Sequence, residues 1–125
     1  MDKQELEGLI DHMEAAQNEV LDSITARKGK EYTALVAGHG SAIAVFQAAG
    51  SAFIDHPQIQ IIENAVNFGI QCVVQVGTAQ ALRLEGIGIN ASAEKLVAAA
   101  DEFQGDLEAF VQQTVQHVKM PEQKS

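Results

Sequence analysis

The chain has 125 residues and one cysteine, and its 17 acidic residues outnumber its 8 basic residues to give a formal net charge of -9 and a pI of about 4.7. This length suits one domain, 1–125, with a single core, and one thiol cannot form an internal disulfide. The acidic balance argues against nucleic acid and membrane surfaces as partners, and we expect a cytoplasmic protein.

The N-terminal segment has the pattern of an amphipathic helix. Asp2 and Glu5 have the spacing of a capping box, and Gly29 follows the expected end of the helix. Residues 2–27 therefore predict a helix that packs on a sheet or on a partner subunit. Its apolar stripe consists of Leu6, Leu9, Met13, Ala16, Val20 and Ile24.

Two central segments, 32–46 and 70–82, each run from β-branched residues through glycine into an alanine-rich stretch. This order is typical of a strand that turns at glycine into a helix, with the turn at the carboxyl end of the strand. In chain order we predict a strand at 33–37 and a helix at 41–49. A second helix starts at His56-Pro57, with proline in its first turn, leads into 59–68 and stops at Gly69. A strand at 70–76 and a short helix from Gly77 to about Gly86 follow.

Strands that are separated by helices favour parallel pairing with right-handed crossovers. The predicted fold class is therefore α/β, with a small, mostly parallel sheet, helices on both faces and an amphipathic helix at the N-terminus. Between Lys30 and Arg83 there is no basic residue, and Asp55 and Glu63 are the only acids after Glu31. We expect this central stretch to be the buried layer of the fold.

The C-terminal part is predicted to be helical from Ser92 onward. Gly105 is expected to break this helix, and Asp106 to cap a last one. Residues 121–125 are expected to be a frayed tail.

Three pieces of the sequence resemble the DsrE/DsrF-like family of small sulfur-relay proteins, over about residues 13–120. They are ALVAGHGSAI at 34–43, AVNFGIQCVVQVGTAQALRLEGI at 65–87, and the spaced pattern of Leu96, Gly105, Leu107 and Phe110. The resemblance implies an α/β sandwich that assembles as a trimer or hexamer. It also implies a cysteine that carries a persulfide at the end of the second strand.

The chain departs from this family at two places. Gln75 or Val76 stands where the carrier cysteine would fall, and Cys72 lies upstream in an apolar run. We expect Cys72 to be a small buried hydrophobe, because a sulfur-carrying thiolate needs exposure and a positive neighbour. The chain also begins with a helix where the family begins with a central strand, so a neighbouring subunit could complete the sheet.

His39 is the other candidate for chemistry, because an imidazole between two glycines at a strand end would face the predicted crevice. The alternative is a histidine that is bonded to its own turn or packed at a subunit contact. The other three histidines lack metal-ligand spacing, so we expect neither a metal site nor a cofactor. The residues that could hold a small anionic ligand are Gly38, His39, Gly40, Ser41, Gln75, Gly77 and Thr78.

Two functions from different classes remain. The favoured one is a non-catalytic, homo-oligomeric binding or regulatory protein with a small-ligand crevice at the strand carboxyl ends. The alternative is a sulfur-relay protein that carries a persulfide on Cys72. A small hydrolase or isomerase that uses His39 would require a carboxylate from elsewhere in the fold.

Overall fold

The computed structural model describes residues 2–123, with side chains described for residues 2–116. Within this range the chain contains four helices and no strand. The predicted α/β fold is therefore wrong, and so is the α/β sandwich that the resemblance implied. The helices are α1 (Lys3–Lys28), α2 (Lys30–Ser51), α3 (Ile59–Leu84) and α4 (Ala93–Gln123).

The first helix is confirmed together with its cap. Asp2 Oδ1 accepts a hydrogen bond of 2.7 Å from the amide of Glu5, which satisfies one of the free amides of the first turn. At the other end Gly29 has a φ of 92° and a ψ of 172°, a conformation that is open essentially to glycine alone. This single residue reverses the chain into α2, and the hydroxyls of Thr25 and Thr33 bond across the reversal at 2.7 Å.

The two predicted strands lie inside α2 and α3, and the glycines that were expected to form turns are helical. Their role is close packing between helices. A Cβ at Gly40 would overlap the ring of Phe110, and a Cβ at Gly69 would lie 2.7 Å from Phe46 Cε1. Glycine at a helix contact and glycine at a turn look alike in a sequence, which is why the segments 33–37 and 70–76 were misread.

The helices alternate in direction, and α2 lies between α1, α3 and α4. The backbones of α1 and α3 do not approach each other within the described residues, whereas α2 and α4 pack across the middle of the bundle. The core lies along this α2 and α4 contact, with α1 and α3 closing its sides. Its buried residues are Ile24, Tyr32, Val36, Ile43, Ala81, Phe103, Leu107, Phe110 and Val111.

The third helix ends near Gly86, as predicted from the sequence. Gly86 has a φ of 72°, and the amide of Ile87 donates to the carbonyl of Leu82 at 2.9 Å, which is the Schellman arrangement. Ser92 then caps α4 through a hydrogen bond of 3.2 Å from the amide of Lys95.

α4 is continuous through Gly105, so the predicted break there is wrong. A Cβ at Gly105 would meet nothing within 4 Å, and the residue lies on the exposed side of the helix. The predicted frayed tail lies partly outside the described residues, because α4 runs to Gln123 and residues 124 and 125 are not described.

The central stretch without basic residues is not a buried layer. Several of its large apolar side chains are exposed, including Val45 at 68%, Phe68 at 69% and Val76 at 53%. The helical period explains the difference. Only every third or fourth residue of α2 and α3 can face the core, and the remaining apolar residues lie on the surface.

Candidate functional site

The seven residues predicted to hold a ligand are spread over different sides of α2 and α3. Gly38 and Ser41 are exposed, whereas Gly40 is buried against α4. Inside a helix the backbone amides bond to carbonyls four residues back, so they are not free to cradle an anion as a turn would. The described residues contain no strand end that could form the predicted crevice, and the ligand-binding role of these residues stays a prediction.

His39 lies at the contact between α2 and α3. Its Nε2 is 2.7 Å from Gln80 Oε1, and its ring packs where a Cβ of Gly77 would lie, 3.0 Å from Cγ. The structure thus brings together His39 and Gly77, two of the predicted site residues. The imidazole bonds to an amide on the neighbouring helix of the same chain, which is neither the bond to its own turn nor the subunit contact that the alternative described.

The remaining predicted residues lie further along α3. The hydroxyl of Thr78 is buried and has no hydrogen-bond partner among the described residues, and Gln75 is exposed. Cys72 is exposed as well, so its predicted burial in a strand is wrong. α3 carries no charge between Glu63 and Arg83, and its own sequence therefore places no cation beside the thiol.

The chain also holds a polar cluster that the sequence reasoning missed. At the end of the bundle near Gly29, the buried Tyr32 donates a hydrogen bond of 2.8 Å from its hydroxyl to Asp106, which also accepts one of 2.8 Å from Arg27. Burial raises the pKa of Tyr32, and the bond to Asp106 raises it further. The hydrogen bond to Asp106 likewise raises the pKa of Arg27.

Lys28 completes this cluster. Its Nζ lies 2.6 Å from Glu85 and 3.1 Å from Glu102, so it ties α1 to the end of α3 and to α4. The hydrogen bond to Glu85 raises the pKa of Lys28 above its ordinary value. The charged groups of the cluster pair with one another, which gives it a structural role in joining the helix ends. The sequence predicts only a helix cap at Asp106, and no local sequence signal pairs this residue with Tyr32, 74 residues away.

The larger surface feature begins on α2, one side of which is covered by no other helix in the part of the chain that the structure describes. Phe46 and Gly50 face α3, Tyr32 and Gly40 face α4, and Thr33 faces α1. The remaining side repeats every three or four residues and is exposed. It consists of Ala34, Gly38, Ser41, Val45, Ala49 and Ala52.

α3 carries a matching exposed stripe next to it. Val66, Gly69 and Gly77 face α2, whereas Ile70, Val74 and Ala81 pack towards the core and α4, which leaves exposed the side of the helix that points away from α4. That side consists of Ile61, Ala65, Phe68, Cys72, Val76 and Ala79. The α2 and α3 stripes together are called the α2–α3 face below.

The α2–α3 face is apolar and contains no charged residue. Charged side chains lie near its two ends. Glu31 and Arg83 line a shallow surface depression with Leu35, Gln80 and Leu84 at one end, and Glu63 is exposed near the other. Contiguous exposed apolar surface of this kind marks interaction sites in soluble proteins, and a charged rim around an apolar centre is the usual anatomy of an interface.

A separate groove of about 480 Å³ lies at the end of the bundle near the loop between α2 and α3. Its lining is mostly small and apolar, with Ala48, Val66, Ile70 and Val115 among the residues and Glu63 as the charged one. It offers no second ionisable group for acid and base chemistry.

No protein-family model matches this chain, and neither the curated proteins nor the solved structures gave a match. In the part of the chain that is described, no three His, Cys, Asp or Glu side chains come close enough to hold a metal ion. None of the helices described is long and apolar enough to cross a membrane.

Proposed function

We propose that this protein is a non-catalytic binding module that works by docking another protein on its α2–α3 face. The observation that carries the proposal is the exposed, charge-free surface that α2 and α3 share. Large apolar side chains on a monomer's surface are costly to solubility unless a partner covers them.

The placement of the polar side chains supports a binding role over a catalytic one. His39 bonds to Gln80, and the ionisable groups of the Tyr32 cluster bond to one another.

The proposed location is the cytoplasm, in keeping with a single thiol and no internal disulfide. A small anionic ligand has weaker support, since no basic residue lies between Lys30 and Arg83.

Site-specific photo-crosslinking in cells that produce the protein tests this role. A photo-reactive residue in place of Phe68, 69% exposed on the α2–α3 face, should give a discrete protein adduct. The matched control carries the same residue in place of Val97, which is 59% exposed on α4, and should give none. Equal yields at both positions, or no adduct at position 68, would refute the proposal.

The alternative function, a sulfur relay through Cys72, is favoured by one observation, the exposure of the thiol. It lacks a positive neighbour on the same helix to stabilise the thiolate. Intact mass after brief exposure to polysulfide distinguishes the two functions. A relay protein gains one sulfur at Cys72 faster when folded than when unfolded, because its thiolate is activated, whereas a binding module gains it no faster.

A further inference from the structure

We infer that the partner on the α2–α3 face is a second copy of this chain, which packs its α3 on the first copy's α2 around a two-fold axis that runs along the helices. This inference rests on the proposed binding role of the face. It adds the identity of the partner and the arrangement of the two copies.

Charge is the first reason to choose a second copy. Each chain carries a net charge of -9, so two copies repel each other through most of their surface. The α2–α3 face is the broad surface that adds nothing to this repulsion. Two copies can therefore meet there at the lowest electrostatic cost.

The size of the face is the second reason. The α2 stripe runs from Ala34 to Ala52, which is about 27 Å of helix, and two packed helices give a face about 20 Å wide. The flat footprint is about 540 Å² on each copy, so two copies bury about 1,080 Å² together, just above the roughly 1,000 Å² that a biological interface needs.

Complementary shape decides which helix meets which. The α3 stripe carries the large side chains of Ile61, Phe68 and Val76, whereas the α2 stripe is mostly alanine, glycine and serine. Large residues on small ones interdigitate better than large on large, so α3 of one copy should seat on α2 of the other.

The relative heights of α2 and α3 residues within one chain determine which residues meet between the two copies. Phe46 lies opposite Gly69, and His39 lies opposite Gly77. A two-fold axis along the helices preserves these heights, so Phe68 comes over the partner's α2 near Val45, and Val76 comes near Gly38. The same operation brings Arg83 toward the Glu31 end of the partner's α2, where the two charges are complementary.

Sedimentation equilibrium across micromolar concentrations tests the inference on the purified full chain. The unmodified protein should be a dimer. Phe68→Ser and Val45→Ser should each weaken dimerisation about ten-fold or more, because they remove buried anchors. Val97→Ser is the control for Val45→Ser, since both remove the same side chain from similarly exposed sites, and it should leave the dimer unchanged.

Gly38→Trp tests the seat on α2 without disturbing the bundle. A Cβ at Gly38 would meet nothing within 4 Å, so a large side chain fits the monomer and obstructs only a partner. Unchanged circular dichroism together with loss of the dimer is the expected result. An unchanged dimer with Gly38→Trp would overturn the arrangement, as would a trimer or hexamer in the unmodified protein.

This experiment separates the failure of the inference from the failure of the proposed function. A purified protein that stays monomeric, together with a crosslink from position 68 to a different protein, overturns the second copy and leaves the binding role standing. A monomer together with no crosslink above the level of position 97 overturns both.

Discussion

At the scale of single residues, a small set of ionisable side chains joins the helices of this protein. Tyr32 is the clearest case, because it is 2% exposed and its hydroxyl donates to Asp106 on α4. Its ring also meets Phe103 edge to face at a centroid distance of 5.7 Å. A buried phenol that donates to a carboxylate stays protonated, since ionisation would place two negative charges together in a poorly solvated site.

Tyr32 predicts how stability depends on alkaline pH. Below about pH 10 the phenol is neutral in both the folded and the unfolded chain, so it adds no pH dependence. Above about pH 10 the unfolded chain releases this proton first, because the folded pKa is raised, and the free energy of unfolding should fall as pH rises. Tyr32 is the only tyrosine, so phenolate absorbance reports it alone.

In an alkaline titration, the phenolate signal should therefore rise only together with the loss of helical circular dichroism. Asp106→Asn is the control, since it removes a carboxylate that raises the pKa of Tyr32 and should move its ionisation to lower pH. Phenolate formation near pH 10 in a fully helical protein would contradict the buried hydrogen bond.

At the scale of the elements, the sequence is informative at helix ends and ambiguous in helix interiors. The cap at Asp2, the reversal at Gly29 and the end of α3 at Gly86 follow from local residue types and were predictable. The interiors of α2 and α3 were not. Apolar runs with glycine occur both in buried strands and in helices that pack closely. Here the rings of Phe110 and Phe46, which are distant in sequence, pack on Gly40 and Gly69, and this contact is visible only in the folded chain.

The polar cluster and the α2–α3 face could not be predicted from the sequence for the same reason. The pairing of Tyr32 with Asp106 depends on two helices meeting, and the exposure of Phe68 depends on which side of α3 the bundle uses. The sequence did show that the central stretch lacks basic residues and holds only two acids after Glu31. It could not show that part of this stretch lies on the surface.

Two glycines of α2 test this interpretation of the helix. Gly38→Ala should stabilise the folded monomer by about 0.5–1 kcal/mol, because within one chain the site is open and alanine is the better helix former. Gly40→Ala should destabilise it by about 1–3 kcal/mol, because the new methyl group overlaps the ring of Phe110. Urea denaturation measures both changes.

The comparison is internally controlled, since the two substitutions are identical and lie two residues apart on one helix. A turn at Gly38-His39-Gly40, as in the α/β interpretation, would give the two variants similar effects. Stabilisation by Gly40→Ala would contradict the packing of α2 on α4.

At the scale of the whole molecule, the bundle separates its charge from its exposed apolar surface. α1, α4 and the helix ends carry most of the acidic residues, whereas the α2–α3 face carries none. A monomer built this way keeps a large apolar face in water, and a dimer through that face removes it. The central claim about the molecule is therefore that the α2–α3 face is covered in solution.

The rate at which Cys72 reacts with iodoacetamide in the native protein measures this coverage most directly. Cys72 is the only thiol, and it lies within the α2–α3 face. We predict slow alkylation at high protein concentration that becomes faster on dilution, because dimers dissociate and expose the thiol. Fast alkylation that is independent of protein concentration, and equal to the rate in Gly38→Trp, would contradict it.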